Sequence, residues 1–262
     1  MTEQLTFYKF VGAGNDFVLF ENWSTELVLS AEQIQDICDR RFGIGADGVI
    51  LLEPHGVENF SMSYFNADGS RGEMCGNGAR CIVQLAILLG RAPEAGTFAA
   101  DDGVHAYVKA GEDVDVEIKV NGELSDWDIP APGCGFINTG VPHLVMPVDD
   151  VSQAEVNPMG IAMNAHPAHP HGTNLNVIQQ TAGSLKVRTW ERGVNAETLA
   201  CGTGAVAVAI FAHQKWKRSW PIQLVFPGGE LEVDQRGNQY WLKGSGELVF
   251  KGYLASSRLH RN

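Results

Sequence analysis

Five cysteines in 262 residues, none of them in a C-x-x-C pair, are too few and too scattered for a disulfide scaffold or a zinc knuckle. They stand at 38, 75, 81, 134 and 201, an odd count, and are expected to be reduced. Basic residues are scarce as well. Nineteen Lys and Arg against 31 Asp and Glu leave a formal charge of −12, which argues against a nucleic-acid or anionic-membrane partner, since both need basic patches that displace counterions. Long apolar runs are missing. The longest, around Ala205 to Ala212, falls far short of the roughly 18 residues a membrane span needs. The opening MTEQLTFYKF has no basic segment leading into an apolar one, so no secretory leader is expected and the cytoplasm is the expected location. What remains is a folded-protein composition, 44% apolar and 19% charged, and a length that allows one large domain or two of about 130 residues.

A repeat favours two. Cys75-Gly76-Asn77-Gly78-Ala79 returns as Cys201-Gly202-Thr203-Gly204-Ala205, and 201 − 75 is 126. The same offset brings Tyr64 onto Trp190, Gly14 onto Gly140 and Val18-Leu19 onto Leu144-Val145, as a duplicated unit would.

Each copy of the pentapeptide opens a segment that is apolar nearly all round, Asn77 to Leu89 in the first half and Ala205 to Ala212 in the second, which predicts helices enclosed by protein. Short strand patterns surround them. In the first half they lie at 5–10, 17–20, 49–52, 61–64, 97–100, 105–109 and 114–119; in the second at 174–179, 185–190, 222–226, 231–234, 240–243 and 247–250. An amphipathic helix is expected over Ala31 to Asp39, with Ser30 as N-cap and Gln33 as its capping-box partner. The expected fold is therefore α/β, of the α+β roll type, with two pseudo-symmetric domains. Each is a curled, mostly antiparallel sheet wrapped around a central buried helix. The boundary is drawn as 1–124 and 125–262, with the last strand a candidate to pack back on the first half. Asn121-Gly122 and Pro130-Ala131-Pro132-Gly133 mark the crossing.

The cysteine turns carry the chemistry. A thiol at a helix N-terminus sits where backbone N–H groups and the helix dipole favour negative charge. The N–H groups of Gly76, Asn77, Gly202 and Thr203 are candidates to hold a carboxylate between two helix ends. A carboxylate held between two thiols suits inversion at the adjacent carbon: one thiolate removes a proton from one face, and the other thiol delivers one to the opposite face. A lone cysteine is more often a small buried apolar residue, and Cys38, Cys81 and Cys134 keep that reading. No lysine lies in the cysteine turns or the motifs flanking them, so neither pyridoxal phosphate nor any other cofactor is expected.

Further motifs are Gly12-Ala13-Gly14-Asn15-Asp16-Phe17, Arg41-Phe42-Gly43-Ile44-Gly45-Ala46-Asp47-Gly48, Phe65-Asn66-Ala67-Asp68-Gly69-Ser70, Gly172-Thr173-Asn174 and Trp190-Glu191-Arg192-Gly193. With the two cysteine turns, the chain from Phe7 to about Gly246 resembles the diaminopimelate epimerases, cofactor-independent enzymes that interconvert LL- and meso-diaminopimelate. The resemblance implies two similar halves with the site in the cleft between them, a homodimer, and Cys75 and Cys201 as the acid/base pair. It further implies that Asn15, Asn66, Asn174 and Arg192 read the far end of the substrate, with Glu191 at the distal ammonium, and that His143 and Glu191 set the thiol pKa values. On this view a protonated His143 would favour thiolate and a Glu191 carboxylate would oppose it.

Two features pull the other way. The family has Asn-Pro-His where this chain has Val141-Pro142-His143, and valine cannot donate to a carboxylate, which encourages a racemase of another amino acid on the same scaffold. His166-Pro167-Ala168-His169-Pro170-His171 invites a metal reading, but its prolines break the spacing of ligand pairs, and no metal site is expected. A reading from another class, a thiol redox or binding protein that uses Cys75 and Cys201 as a disulfide switch, would require oxidation for function, whereas an epimerase would be inactivated by it.

Overall fold

The structure is a computed structural model that describes residues 4–72, 74–127 and 133–255. It divides into two compact units, Met1–Val116 with Ser245–Asn262, and Glu117–Gly244. Of the expected crossing, Pro130-Ala131-Pro132 lies outside the described residues.

In the first unit the chain runs β1 (Gln4–Gly12), β2 (Asn15–Glu21), α1 (Ala31–Cys38), β3 (Gly48–Glu53), β4 (Phe60–Asn66), β5 (Arg71–Gly72), α2 (Gly76–Leu88), β6 (Ala95–Ala100), β7 (Gly103–Ala110) and the start of β8 (Asp113–Ile118). β1 and β2 are antiparallel, β2 and β3 parallel, β3 and β4 antiparallel; β4 is antiparallel to β5 and parallel to β6, and β6, β7 and β8 continue antiparallel. Alternation along the strands sends side chains to both faces. Phe7, Val18, Phe20, Val49 and Leu51 meet Ile34 and Ile37 of α1 on one face. On the other, Ile50 and Met62 reach α2 so closely that a Cβ on Gly78 would stand 2.8 Å from Ile50 Cδ1 and 3.3 Å from Met62 Cε. α2 is buried without interruption from Gly76 to Val83, as its all-round apolar sequence predicts. α1 begins with the expected capping box: Gln33 N donates to Ser30 Oγ at 3.2 Å, and Ser30 N to Gln33 Oε1 at 2.7 Å.

The second unit repeats this plan with β9 (Ser125–Trp127), β10 (Cys134–Asn138), β11 (Pro142–Pro147), α3 (Val156–Asn164), β12 (Asn174–Gln180), β13 (Leu185–Glu191), β14 (Ala196–Thr198), α4 (Gly202–Trp216), β15 (Ile222–Phe226), β16 (Gly229–Arg236) and β17 (Gln239–Ser245). β10 and β11 are antiparallel, β11 and β12 parallel, β12 and β13 antiparallel; β13 is antiparallel to β14 and parallel to β15, and β15, β16 and β17 continue antiparallel. The order and sense are those of the first unit. α2 and α4 begin at Gly76 and Gly202, β3 and β12 at Gly48 and Asn174, and both differences are 126. β9 pairs antiparallel with β10, and β18 (Glu247–Ala255) takes the equivalent place beside β1. Leu144, Met146, Leu175, Val177 and Trp190 pack with Val156 and Met163 of α3 on one face of this sheet. α4, buried from Gly204 to Ala212, covers the other.

The sequence pattern did not announce α3, β10 or β11. Pro158 and Gly160 disguise α3. Proline is tolerated in a first turn because its missing N–H has no intrahelical partner there, and Gly160 is required because Trp190 lies where a Cβ would point. β11 is bounded by Pro142 and Pro147, which read as loop punctuation. Among the described residues no helix is long and apolar enough to cross a membrane.

Candidate active site

Each cysteine turn is a strand-to-helix entry in which the cysteine is the N-cap. Cys75 has φ −123° and ψ 115°, and Cys201 has φ −125° and ψ 117°. The extended cap conformation leaves the sulfur beside the first helical turn, near the positive end of the helix dipole. Beyond this shared backbone the two surroundings differ in charge.

Around Cys75, a chain of amides runs through the first unit. Asn15 Nδ2 donates to Asp47 Oδ2 at 3.0 Å, Asn77 Nδ2 donates to Asn15 Oδ1 at 2.7 Å, and Arg80 Nη2 donates to Asn77 Oδ1 at 2.9 Å. Arg80 is fully buried; its Nη1 and Nε also donate to the Gly76 and Ser245 carbonyls at 3.1 and 3.2 Å. Burial pulls its pKa below the usual guanidinium range, while Cys81, Cys75 and Asp113 pull the other way. By reciprocity the Arg80 charge favours a Cys75 thiolate. Behind Asn15, burial works against the Asp16 carboxylate, but hydrogen bonds from Arg40 and Lys9 outweigh it and lower its pKa to about 2. Cys75 is half-buried. Asn66 ends β4, its Nδ2 donating to Ser70 Oγ at 3.0 Å.

Around Cys201, a second chain forms within the second unit. Cys201 Sγ stands 3.5 Å from Thr203 Oγ1, Thr203 Oγ1 3.0 Å from His143 Nε2, and His143 Nδ1 3.1 Å from Asn176 Nδ2. Asn176 is completed by Leu144 O, which accepts from Nδ2 at 3.2 Å, and by Thr189 Oγ1, which donates to Oδ1 at 3.0 Å. Cys201 is buried, and burial, followed by the Glu191 carboxylate, pushes its thiol pKa well up; hydrogen bonds from Thr203 and from the Gly204 N–H oppose this. Glu191 in turn accepts from Thr198 Oγ1 at 2.6 Å. Asn174 Oδ1 accepts from the Arg192 backbone N–H at 2.9 Å, and Arg192 Nη1 donates to His171 O at 2.6 Å, tying the end of β13 to the histidine-proline loop.

His143 differs from the expected thiolate partner. It is fully buried and burial, with Arg192 adding to the effect, pushes its pKa down to about 3, so it is neutral at any working pH and reaches the sulfur only through Thr203. Burial likewise raises Cys38 to about 11 and Cys81 to about 12, as befits inert packing thiols. In the histidine-proline loop, the His169 ring lies against both Trp127 and Phe136 at ring-centroid distances of 4.9 and 5.0 Å. No group of three or more His, Cys, Asp or Glu side chains converges on a metal position among the described residues.

Arg80, Asp47 and Asn176 were not anticipated as site residues. Arg80 directly follows the first pentapeptide, and a charged residue inside an otherwise apolar helix was the signal for it. Asn176 lies two residues after Asn174 and so projects from the same face of β12.

The family model described as diaminopimelate epimerase matches residues 7–127 and 135–249. Curated proteins named diaminopimelate epimerase are similar over nearly their whole length. The one from Flavobacterium psychrophilum is 39% identical over 93% of this chain and 98% of its own. The one from Aquifex aeolicus is 36% identical over 97% and 99%. Among solved structures, a phenazine biosynthesis protein of the PhzF family from Bacillus anthracis has a TM-score of 0.74 at 13% identity, covering 96% of this chain and 99% of its own. A hydroxyproline epimerase from Agrobacterium vitis has a TM-score of 0.71 at 12% identity, covering 97% and 94%. At such identities these likenesses establish the two-domain α/β fold alone.

Proposed function

The chain belongs to the diaminopimelate epimerase family, and from that membership we propose that it interconverts LL- and meso-diaminopimelate by proton transfer at one α-carbon, with Cys75 and Cys201 as the two bases. The observation that carries the reading is the pair of Cys-capped buried helices, α2 and α4, alike in backbone and opposite in electrostatic surroundings. Two groups that must exchange a proton in opposite senses need pKa values driven apart. The Arg80 charge favours the thiolate at Cys75, whereas burial and Glu191 favour the thiol at Cys201, so we assign Cys75 as base and Cys201 as acid in the LL-to-meso direction.

In the LL-to-meso direction the Cys75 thiolate takes the α-proton and becomes a thiol, while the Cys201 S–H gives its proton to the opposite face and becomes a thiolate. Exchange with solvent then resets both sulfurs. The N–H groups of Gly76, Asn77, Gly202 and Thr203 hold the α-carboxylate through the increase in negative charge. Asn15, Asn66, Asn174, Glu191 and Arg192 bind the distal amino-acid end, Arg192 through its forked donors. No cofactor takes part. The enzyme works in the cytoplasm as a homodimer, for which the apolar Leu248, Val249, Phe250 and Tyr253 exposed along β18 offer contact residues; sedimentation velocity checks the assembly.

The test is incubation of the purified protein with LL-diaminopimelate and, separately, a panel of L-amino acids in deuterated water. Formation of meso-diaminopimelate with deuterium at the inverted centre is expected. Val141 favours a second reading, a racemase of another amino acid, and α-deuteration confined to a panel member would establish that reading and remove diaminopimelate as substrate.

A further inference from the structure

Asn176 has no place in the reaction just described, yet its amide is fully committed in the heart of the Cys201 chain. It is buried, and all its polar capacity points one way. Leu144 O can only accept, so the nitrogen of the amide must lie on that side, and Thr189 Oγ1 donates to the oxygen on the other. That settles the orientation of an amide that could otherwise be turned over. The second proton of Nδ2 then points at His143 Nδ1, 3.1 Å away.

A ring nitrogen that receives an N–H cannot carry a proton of its own. Neutral His143 must therefore hold its single proton on Nε2, which donates to Thr203 Oγ1 across 3.0 Å. With a donor already aimed at its oxygen, the Thr203 hydroxyl has its own proton free for Cys201 Sγ at 3.5 Å. In the opposite tautomer the same hydroxyl proton would be spent on Nε2 and the sulfur would lose its donor. We propose that Asn176 is a positioning residue that locks the Nε2–H tautomer of His143 and so directs the Thr203 hydroxyl proton toward Cys201, stabilising the thiolate left after Cys201 has delivered its proton.

The charged groups facing this chain are Glu191, which opposes a thiolate at Cys201, and Arg192, which acts on His143. The group seated on Nδ1 itself is the Asn176 amide, 3.1 Å away, with Thr203 Oγ1 on the other ring nitrogen. The polarity of the chain thus comes from a neutral amide, at a position whose packing is tight enough that a Cβ on Gly204 would stand 2.5 Å from Asn176 Oδ1. The catalytic consequence rests on the role proposed for Cys201, but the tautomer and the thiol pKa are properties of the protein without substrate, so they can fail while epimerisation stands, and the reverse.

Two measurements test it. Long-range proton–nitrogen NMR of the labelled wild-type protein, with His143 identified by its absence in His143→Gln, should show a bare Nδ1 and a protonated Nε2. A proton on Nδ1 would overturn the proposal without any reliance on a variant. The second follows iodoacetamide alkylation of Cys201 against pH by mass spectrometry. Asn176→Leu and Thr203→Val should each raise the midpoint by about one pH unit, an approximately tenfold loss of rate at a fixed pH below it. Thr203→Ser, which keeps the hydroxyl, should retain the wild-type midpoint. Asn176→Leu should add nothing once Thr203 is valine. An unchanged midpoint in Asn176→Leu, or a shift that adds fully to that of Thr203→Val, would show that the amide does not act through the hydroxyl.

Discussion

Gly78 and Gly204 occupy matching places in the first turns of α2 and α4, but replacing them with alanine should have opposite outcomes. Alanine is favoured over glycine inside a helix by about 1 kcal/mol, and that gain is common to both. At Gly78 the new Cβ meets the tips of Ile50 and Met62, at 2.8 and 3.3 Å, and such ends rotate away at little cost. At Gly204 it meets Asn176 Oδ1 at 2.5 Å and the Cys201 Cβ and Sγ at 3.2 and 3.3 Å. An amide held by three hydrogen bonds cannot retreat without breaking them, so overpacking of about 1 to 3 kcal/mol is joined by about 1 kcal/mol for each bond lost. Gly78→Ala should therefore be within about 1 kcal/mol of wild type, and Gly204→Ala less stable by about 2 kcal/mol or more, net of the helix gain. Urea unfolding followed by circular dichroism measures both. Gly204→Ala should also slow Cys201 alkylation, because its sulfur and its hydroxyl donor are displaced together. Equal stabilities for the two variants would refute the claim that the second turn is built around a rigid amide.

Several other outcomes are expected. Cys75→Ala and Cys201→Ala should each abolish epimerisation in a chiral chromatographic assay, and Cys→Ser at either position should be slow because a serine hydroxyl rarely ionises at neutral pH; full turnover in either alanine variant would remove that sulfur from the mechanism. Activity should survive exhaustive dialysis against chelator, and dependence on added metal or pyridoxal phosphate would contradict a cofactor-free reaction. His143, with a folded pKa of about 3 against an ordinary 6.5, binds its proton in the unfolded chain first, so its contribution to stability is complete above pH 6.5 and declines as the pH falls toward 3. Asp16, at about 2 against 3.8, contributes above pH 3.8 and loses that contribution as the pH falls through 2; urea midpoints against pH should show this lower limb in wild type and not in Asp16→Asn.

The parts of the fold that could be read from sequence are those where one local pattern dictates one structure. The two pentapeptides fix α2 and α4, because only an enclosed helix is apolar on every side and, at Gly204, a side chain would collide with the fixed Asn176 amide. Ser30 and Gln33 fix the start of α1 through bonds three residues apart. α3, β10 and β11 were hidden because Pro142, Pro147, Pro158 and Gly160 occupy edges and close contacts that tertiary structure makes favourable. In the site, the motifs yielded the cysteines and their neighbours in the chain. The Asn176–His143 contact joins residues 33 apart across β11 and β12, and the neutrality of His143 follows from burial, so neither has a local signature.

The central claim is that two different sulfurs handle the two protons, and the position of solvent label early in the reaction tests it most directly. In deuterated water, with the reaction stopped at low conversion of LL-diaminopimelate, the Cys201 sulfur carries deuterium while the Cys75 sulfur receives the substrate's hydrogen. The meso product should then hold one deuterium at the inverted carbon, and the recovered LL substrate should hold almost none. Product that keeps the original hydrogen, or equal labelling of product and unreacted substrate, would contradict the two-sulfur mechanism.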